Sequence, residues 1–295
     1  MSQNRRVAKV GDNVTKTATD ARKEGLDKFY TNLDVVDLCI GRLVEFYGWG
    51  VWDLVIEPSA GNGSFFLKIP LVNKVGLDIA PEHPDIIKQD FFTYVPPSGK
   101  KVLVIGNPPF GKNCSLAISF FNHAAERCDT IAFIIPKTFR RVSVQNKLNK
   151  YFHLVTDIEL PAGSCSFTPP MMVKCCFQVW TKSGGEREVV TLDTVHDDWT
   201  FLAFGPKDDK GQPTPPLGAD FALRAYGGKC GEIQRVDLDM LRPKSWHWIR
   251  SNIDVELLIE RFSGLDYSES KNTARQNSFG RGELVKLYGD YLLGI

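Results

Sequence analysis

No apolar run in this sequence reaches the ~20 consecutive residues that a bilayer-spanning helix requires, so a membrane-spanning class is set aside. Seven cysteines are present, yet no two form a C-x-x-C pair, and Cys175-Cys176 fall inside an apolar run. Neither a zinc spacing nor a disulfide framework is visible. The pattern predicts buried, reduced thiols of an intracellular, cytoplasmic protein without a metal centre. A dominant charge is missing as well: 36 Lys and Arg stand against 35 Asp and Glu, a net charge of +1. A polyanionic partner would have to meet a local patch rather than a global field. The first 28 residues are polar and carry Arg5, Arg6, Lys9, Arg22 and Lys23, so no secretory signal is expected, and residues 1–26 are expected to form a flexible arm. No internal repeat is found.

What is present is enough for a large core. The chain has 295 residues, 43% of them hydrophobic, which suits one large domain or one large and one small. The stretch around which it is organised is Asn107-Pro108-Pro109-Phe110, directly after the apolar run Val102-Leu103-Val104-Ile105-Gly106. The run reads as a buried parallel strand, and two prolines then impose an extended backbone. That places a stiff loop at the carboxyl end of a strand, where open α/β sheets hold their ligands. The asparagine brings amide donors and an acceptor, the prolines keep their carbonyls, and the phenylalanine offers a flat face. Such a corner can hold a planar heterocycle and accept hydrogen bonds from an exocyclic amino group. Read alone, the tetrapeptide is equally a rigid turn over a buried Phe.

Upstream, Thr31 or Asn32 caps an expected helix with Val35, Val36, Leu38, Cys39, Leu43 and Phe46 on its apolar face. Leu54-Val55-Ile56 is a strand ending in Glu57-Pro58-Ser59-Ala60-Gly61-Asn62-Gly63, a tight turn expected to lead into a helix with free N–H groups. A Phe stands where a dinucleotide site would have a third glycine, and Glu57 suits a ligand amino group rather than a phosphate. The next strand ends in Asp78-Ile79, about 20 residues on, the spacing at which an acid can take ribose hydroxyls. Gln89-Asp90-Phe91-Phe92 can bond the edge of an adenine and flank its ring, although Asp90 by itself also reads as a cap.

After the tetrapeptide, a helix from Ser115 and a strand at Thr130–Ile135 are expected. Thr130 to Thr156 contains no acid but includes Lys137, Arg140, Arg141, Lys147 and Lys150, read here as phosphate contacts on the ligand rim. Strands at 154–160 and 172–180 are joined by a loop too short for a crossover helix, so they form an antiparallel hairpin. Composition shifts at Lys182-Ser183-Gly184-Gly185. Beyond it, Val189-Val190, Trp199–Phe201 and Phe221–Leu223 look like short strands. Arg224, Tyr226, Lys229 and the Trp246-His247-Trp248 stretch interleave aromatic rings with cations, a pattern that fits either a base-stacking surface or a small aromatic core. Residues 268–280 are expected to be mobile, and the chain closes in a helix from Gly282 to Leu293.

The order of these features resembles the class I S-adenosylmethionine-dependent amino-methyltransferases that act on N6 of adenine. Glu57-Pro58-x-x-Gly61-x-Gly63 and Asn107-Pro108-Pro109-Phe110 carry the resemblance, which covers roughly residues 28–182. Phe29-Tyr30-Thr31-Asn32 is similar to the family's extra N-terminal segment, and the motif order is similar to the gamma arrangement of DNA adenine methyltransferases. The resemblance implies an α/β fold: a doubly wound, mostly parallel seven-stranded sheet with an antiparallel hairpin, residues 27–183, and a smaller C-terminal region, 184–295, for recognising nucleic acid. It implies that Glu57, Ser59, Ala60, Gly61 and Gly63 hold the methionine part of S-adenosylmethionine. Asp78 and Ile79 would take its ribose, Asp90 and Phe91 its adenine, with Tyr30 and Thr31 closing over it. Asn107, Pro108, Pro109 and Phe110 would hold the target base, while Lys137, Arg140, Arg141, Arg224 and Lys229 would meet the polynucleotide. DNA is the expected substrate, with RNA as the alternative. A non-catalytic nucleic-acid-binding relative is the reading from a different class.

Overall fold

The central strands are apolar at consecutive positions, so both faces of the sheet they form need cover. The computed structural model describes residues 28–71 and 73–294; the expected arm at 1–26 lies outside the described residues. Along the chain come β1 (Tyr30–Thr31), helix α1 (Leu33–Phe46), β2 (Leu54–Glu57), β3 (Lys74–Asp78), β4 (Ile87–Lys88), β5 (Val102–Gly106), α2 (Ser115–Ala125) and β6 (Thr130–Pro136). β7 (Phe152–Glu159), β8 (Phe167–Thr168) and β9 (Cys175–Lys182) follow. The main sheet has the order β4-β3-β2-β5-β6-β9-β7. Only β9 runs antiparallel to its neighbours, so the expected seven-stranded sheet with its hairpin is what forms.

Alternation divides the core into two layers. Val55, Leu103, Ile105, Ala132 and Ile134 point to one side, where Val35, Val36, Cys39 and Leu43 of α1 cover them. Ile56, Val102, Val104, Ile131 and Phe133 point to the other, under Ala117, Phe120 and Phe121 of α2. The expected apolar stripe of α1 is narrower than its sequence, since Leu38 and Phe46 are exposed. Between β2 and β3 no α-helix forms among the described residues. The glycine turn runs instead into one 3₁₀ turn, Phe66–Lys68.

The second sheet is antiparallel throughout, β10 (Trp199–Phe201), β13 (Trp246–Ser251), β11 (Phe221–Arg224) and β12 (Ile233–Gln234) in that order. Phe221, Leu223 and Ile249 on one face pack on Leu258 and Phe262 of α3 (Val255–Ser263) and on Leu284 and Tyr288 of α4 (Arg281–Leu293). Ala222, Trp246 and Trp248 form the opposite layer. The aromatic stretch at 246–248 is therefore largely core. His247, its Nε2 against the Phe279 carbonyl at 3.2 Å, has its pKa lowered to about 4 by burial. No strand forms at Val189-Val190, both exposed.

The segment expected to be mobile at 268–280 is tied down. Ser270, Thr273 and Phe279 are buried. The Lys174 ammonium donates to Lys271 O (3.0 Å), Thr273 Oγ1 (3.0 Å) and Asn277 Oδ1 (2.9 Å), and the Lys174 N–H donates to Ala274 O at 2.8 Å. Among the described residues no helix is long and apolar enough to cross a membrane.

Candidate active site

Three chain reversals at the carboxyl ends of β2, β3 and β5 converge, because parallel strands bring their ends to one edge. At the end of β2, Gly61 has φ +51, and a Cβ there would stand 3.1 Å from the Tyr30 ring. Its N–H donates to Asp78 Oδ2 at 2.8 Å, while Asp78 Oδ1 accepts from the Ala80 N–H at 2.8 Å. The Asp78 carboxylate is thus fixed by two backbone donors at the tip of β3. At the end of β5, Gly106 has φ +150, and a Cβ would come 3.1 Å from Glu57 Cγ. Only glycine lets the Asn107 loop lie this close to Glu57.

Over these ends passes the strap that begins the described chain. β1 pairs with β8, and Asn32 anchors the strap through its N–H to Ser166 O at 3.0 Å and its side chain to Cys165 O at 2.7 Å. Tyr30 Oη donates to Glu82 Oε1 at 2.6 Å, and the Lys28 ammonium meets the same oxygen at 2.9 Å. The cavity enclosed beneath has a volume of ≈ 160 Å³. Glu57, Asp78 and Asp90 line it, with Tyr30, Thr31, Ser59, Ala60, Gly61, Ile79, Phe91 and Asn107, so the sequence-chosen residues are brought together there. Gly63 is the exception: it shapes the turn without facing the cavity. Asp90 caps the turn that follows it, its Oδ1 accepting from the Phe92 N–H at 3.0 Å, and the residue also lines the cavity.

Glu57 is 3% exposed, and burial holds its carboxyl well above the usual carboxylate range, the nearby Asp78 charge adding to the effect. Its Oε2 is buried without a hydrogen-bond partner among the described residues. Asn107 Oδ1 is likewise buried and unpartnered, while the Asn107 amide N–H donates to Phe29 O at 3.4 Å and Ser59 Oγ donates to the Asn107 carbonyl at 3.1 Å. An unsatisfied buried acceptor costs about 1–3 kcal/mol, so two at one edge mark places where a ligand's donors belong. A ligand carrying an ammonium, hydroxyls and a flat ring fits the first cavity. Among the described residues no cluster of His, Cys, Asp or Glu is arranged to hold a metal ion.

A second, larger cleft of ≈ 720 Å³ lies on the far side of the tetrapeptide. The two cavities share Phe29, Asn107 and Pro109, so the wall between them is the organising loop itself. Phe110 and Pro108 face the second cleft with Lys112, Lys147 and Arg275. Its rim is strained: Asn113 (φ 52) and Cys114 (φ 63) are consecutive non-glycine residues in the left-handed region, a conformation that persists at functional sites.

The cations expected on the rim are committed elsewhere. Arg140 grips Asp157 with two nitrogens, Nε–Oδ2 at 2.9 Å and Nη2–Oδ1 at 2.5 Å. Lys137 is buried and pairs with Glu159 at 2.7 Å. Arg141 reaches Glu283 of α4, with Nε–Oε1 at 2.6 Å. Lys150 pairs with Glu186 at 2.7 Å. Arg224 lies over the Trp246 ring at 5.1 Å and, with Lys229, faces Glu232 at 3.7 and 3.5 Å. Of the cations in the acid-free run, among the described residues, only Lys147 lines the cleft. Gly106, Phe120, Lys112 and Arg275 were not singled out by the sequence reading. Gly106, between an apolar strand and Asn107, carried a signal for it; Arg275, in a Ser/Asn-rich stretch, did not.

No family model matches the sequence, and no curated protein does. Solved structures with a similar sheet include the 23S rRNA methyltransferase ErmE, at 16% identity and TM-score 0.39 over 54% of this chain and 71% of that one. A dimethyladenosine transferase from Plasmodium falciparum is 15% identical, with TM-score 0.38 over 52% of this chain and 62% of that one. Magnesium protoporphyrin IX methyltransferase from Synechocystis PCC 6803, with bound SAM, is 13% identical, with TM-score 0.38 over 60% of this chain and 87% of that one. At such scores the likeness is loose and assigns neither ligand nor substrate.

Proposed function

We propose that this chain transfers a methyl group from S-adenosylmethionine to the exocyclic N6 amino group of adenine in a polynucleotide. The observation that carries the reading is the pair of buried oxygens without a hydrogen-bond partner among the described residues, Glu57 Oε2 in a residue that lines the first cavity and Asn107 Oδ1 in one that lines both. When bound, S-adenosylmethionine supplies an electrophilic methyl group to the N6 lone pair, with cleavage of its carbon–sulfur bond and loss of one N6 proton to water. The first cavity would hold it through residues present here. Glu57 takes the ammonium, Asp78 the ribose hydroxyls, and Asp90 with Phe91 the adenine, under the Tyr30 strap.

The work of the chain is alignment. An aromatic amine delocalises its lone pair into the ring and is a poor nucleophile. Asn107 Oδ1 and the Pro108 carbonyl, accepting from N6 out of the ring plane, favour the pyramidal nitrogen of the transition state. Phe110 stacks on the base and fixes its distance from the shared wall. Positioning and preorganised acceptors supply the rate, with no strong base required.

DNA and RNA present the same adenine edge and the same phosphates. DNA rests on motif order alone, whereas two of the loosely similar structures are named for acting on 23S rRNA and for dimethyladenosine transfer. The test is incubation with methyl-labelled S-adenosylmethionine and matched DNA and RNA strands, with and without adenine, followed by nucleoside digestion. Label in N6-methyladenine from one sugar type is expected. Label in no adenine of either strand overturns the proposal.

A further inference from the structure

The cleft at the tetrapeptide does not end at Phe110. At Tyr226 it adjoins a hollow of ≈ 290 Å³ on the second sheet, and the two share that residue. Among the described residues neither has an Asp or Glu in its lining, in a chain with 35 of them. Lys112, Lys147 and Arg275 line the cleft, and none forms an ion pair with a described residue. Lys244 and Arg281 line the hollow, likewise without an ion pair to a described residue, Lys244 donating to the Gln212 amide oxygen at 3.4 Å and Arg281 lying over the Phe201 ring at 4.9 Å. These five differ from the 137–141 cations, whose charges internal carboxylates already meet.

Aromatic rings line the same two hollows as the cations. Tyr226 and Phe204 are each 47% exposed, although the rest of the aromatic stretch is core. Tyr226 is held by a backbone bridge to Ser278 and by its N–H to Ser245 O at 3.2 Å, so its ring sits on a fixed backbone. Free cations flanking open rings are what a single strand needs: each phosphate meets a charge, and each exposed base face meets a platform. A duplex hides those faces in its own stack.

We infer that the two hollows form one track for an unpaired polynucleotide strand, with phosphates on Lys112, Lys147 and Arg275 and a base next to the target stacked on Tyr226. The position of the target at Phe110 rests on the methyl-transfer reading; the charge and stacking of the track do not.

Adenine-free strands separate the two. Labelled oligothymidine and oligouridine, roughly 12 nucleotides long to cover one such track, are titrated by fluorescence anisotropy at several salt concentrations. Wild type is expected to bind them without methylating them, and to bind a duplex of the same length more weakly. Tyr226→Ala should weaken binding about 5- to 100-fold, and Tyr226→Phe should restore it. Replacing Lys112, Lys147 and Arg275 together by alanine should reduce the slope of log affinity against log salt by about 0.7 for each phosphate no longer neutralised. These three side chains sit at the cleft rather than in the core, so that variant stays informative even if Tyr226→Ala melts early. Comparison of the two oligomers identifies the sugar. Binding that neither variant set changes overturns the track alone. Track binding as expected with no adenine methylated overturns the function alone. No binding of any polynucleotide overturns both.

Discussion

On one side of the Asn107–Pro109 wall, Glu57, Asp78 and Asp90 face a cavity of ≈ 160 Å³; on the other, Lys112, Lys147 and Arg275 face a cleft of ≈ 720 Å³ with no acid lining it among the described residues. Among the described residues the one cation at the first cavity, Lys28, is held by Glu82. One chain with a net charge of +1 thus offers two neighbouring surfaces of opposite sign. A cationic donor and an anionic acceptor would each be drawn to its own side and meet at a thin polar wall. Net charge says nothing of this; the sorting of side chains does.

The wall itself gives the largest expected effect. Asn107→Ala removes an acceptor that matters most when N6 becomes pyramidal, so single-turnover methyl transfer should fall about 10²-fold or more while donor and strand affinities stay near wild type. Full turnover with a folded protein would make the loop structural and the comparison accidental.

Glu57 breaks the acidic side. Because burial raises its pKa, part of the empty protein keeps this carboxyl protonated above the usual range, and an ammonium beside it drives the proton off. Donor binding should therefore release protons and tighten as pH rises, until the ammonium itself titrates. Calorimetry in buffers of different ionisation heat counts them. Glu57→Gln should abolish the release and weaken donor binding roughly 10- to 150-fold. A raised native pKa also means stability present below the unfolded value, about 4.3, and lost as pH rises through the native one. Without donor, Glu57→Gln should accordingly melt above wild type at pH 8 and match it near pH 4.

Arg140 tests whether the basic side has been drawn correctly. Its bond to Asp157 predicts that Arg140→Ala costs about 1–3 kcal/mol in denaturant unfolding and leaves the salt slope of strand binding unchanged. A lower slope would return Arg140 to the strand surface. The smallest effect belongs to the rim. The acidic side makes its left-handed turn with Gly61, whereas the basic side uses Asn113 at φ 52, so Asn113→Gly should raise stability by at most about 1 kcal/mol.

Local signals were legible. The apolar runs at 54–56, 102–106 and 130–135 became strands because consecutive apolar residues can be buried only where both faces are covered. The strand ends carried Glu57, Asp78 and Asn107 into one edge for the same reason. Pairings distant in the chain were not legible. Arg141 looks free beside its neighbours, and its carboxylate lies 142 residues on, in a helix of the other sheet. The 268–280 stretch reads as loose from its Ser and Asn, yet the ammonium of Lys174 organises it. Helix α3 was passed over although Asp254 caps it, accepting from the Leu257 N–H at 2.9 Å, and Leu258 and Phe262 stand one turn apart on its buried face. Its apolar face spans too few residues for helical periodicity to stand out among the flanking strands.

Lys174 stands immediately before β9, and the segment it fastens through backbone and side chain carries Ala274, Arg275 and Gln276, the far wall of the cleft. A wall pinned to the main sheet in this way favours an entrance of set width. Under the proposed function, the work of opening then falls on the nucleic acid: hairpin loops, bulges and frayed ends enter readily, while a paired adenine waits for its own thermal excursion. Turnover across substrates would follow how often each adenine stands open unaided, and the enzyme would act as a gauge of local looseness along the strand.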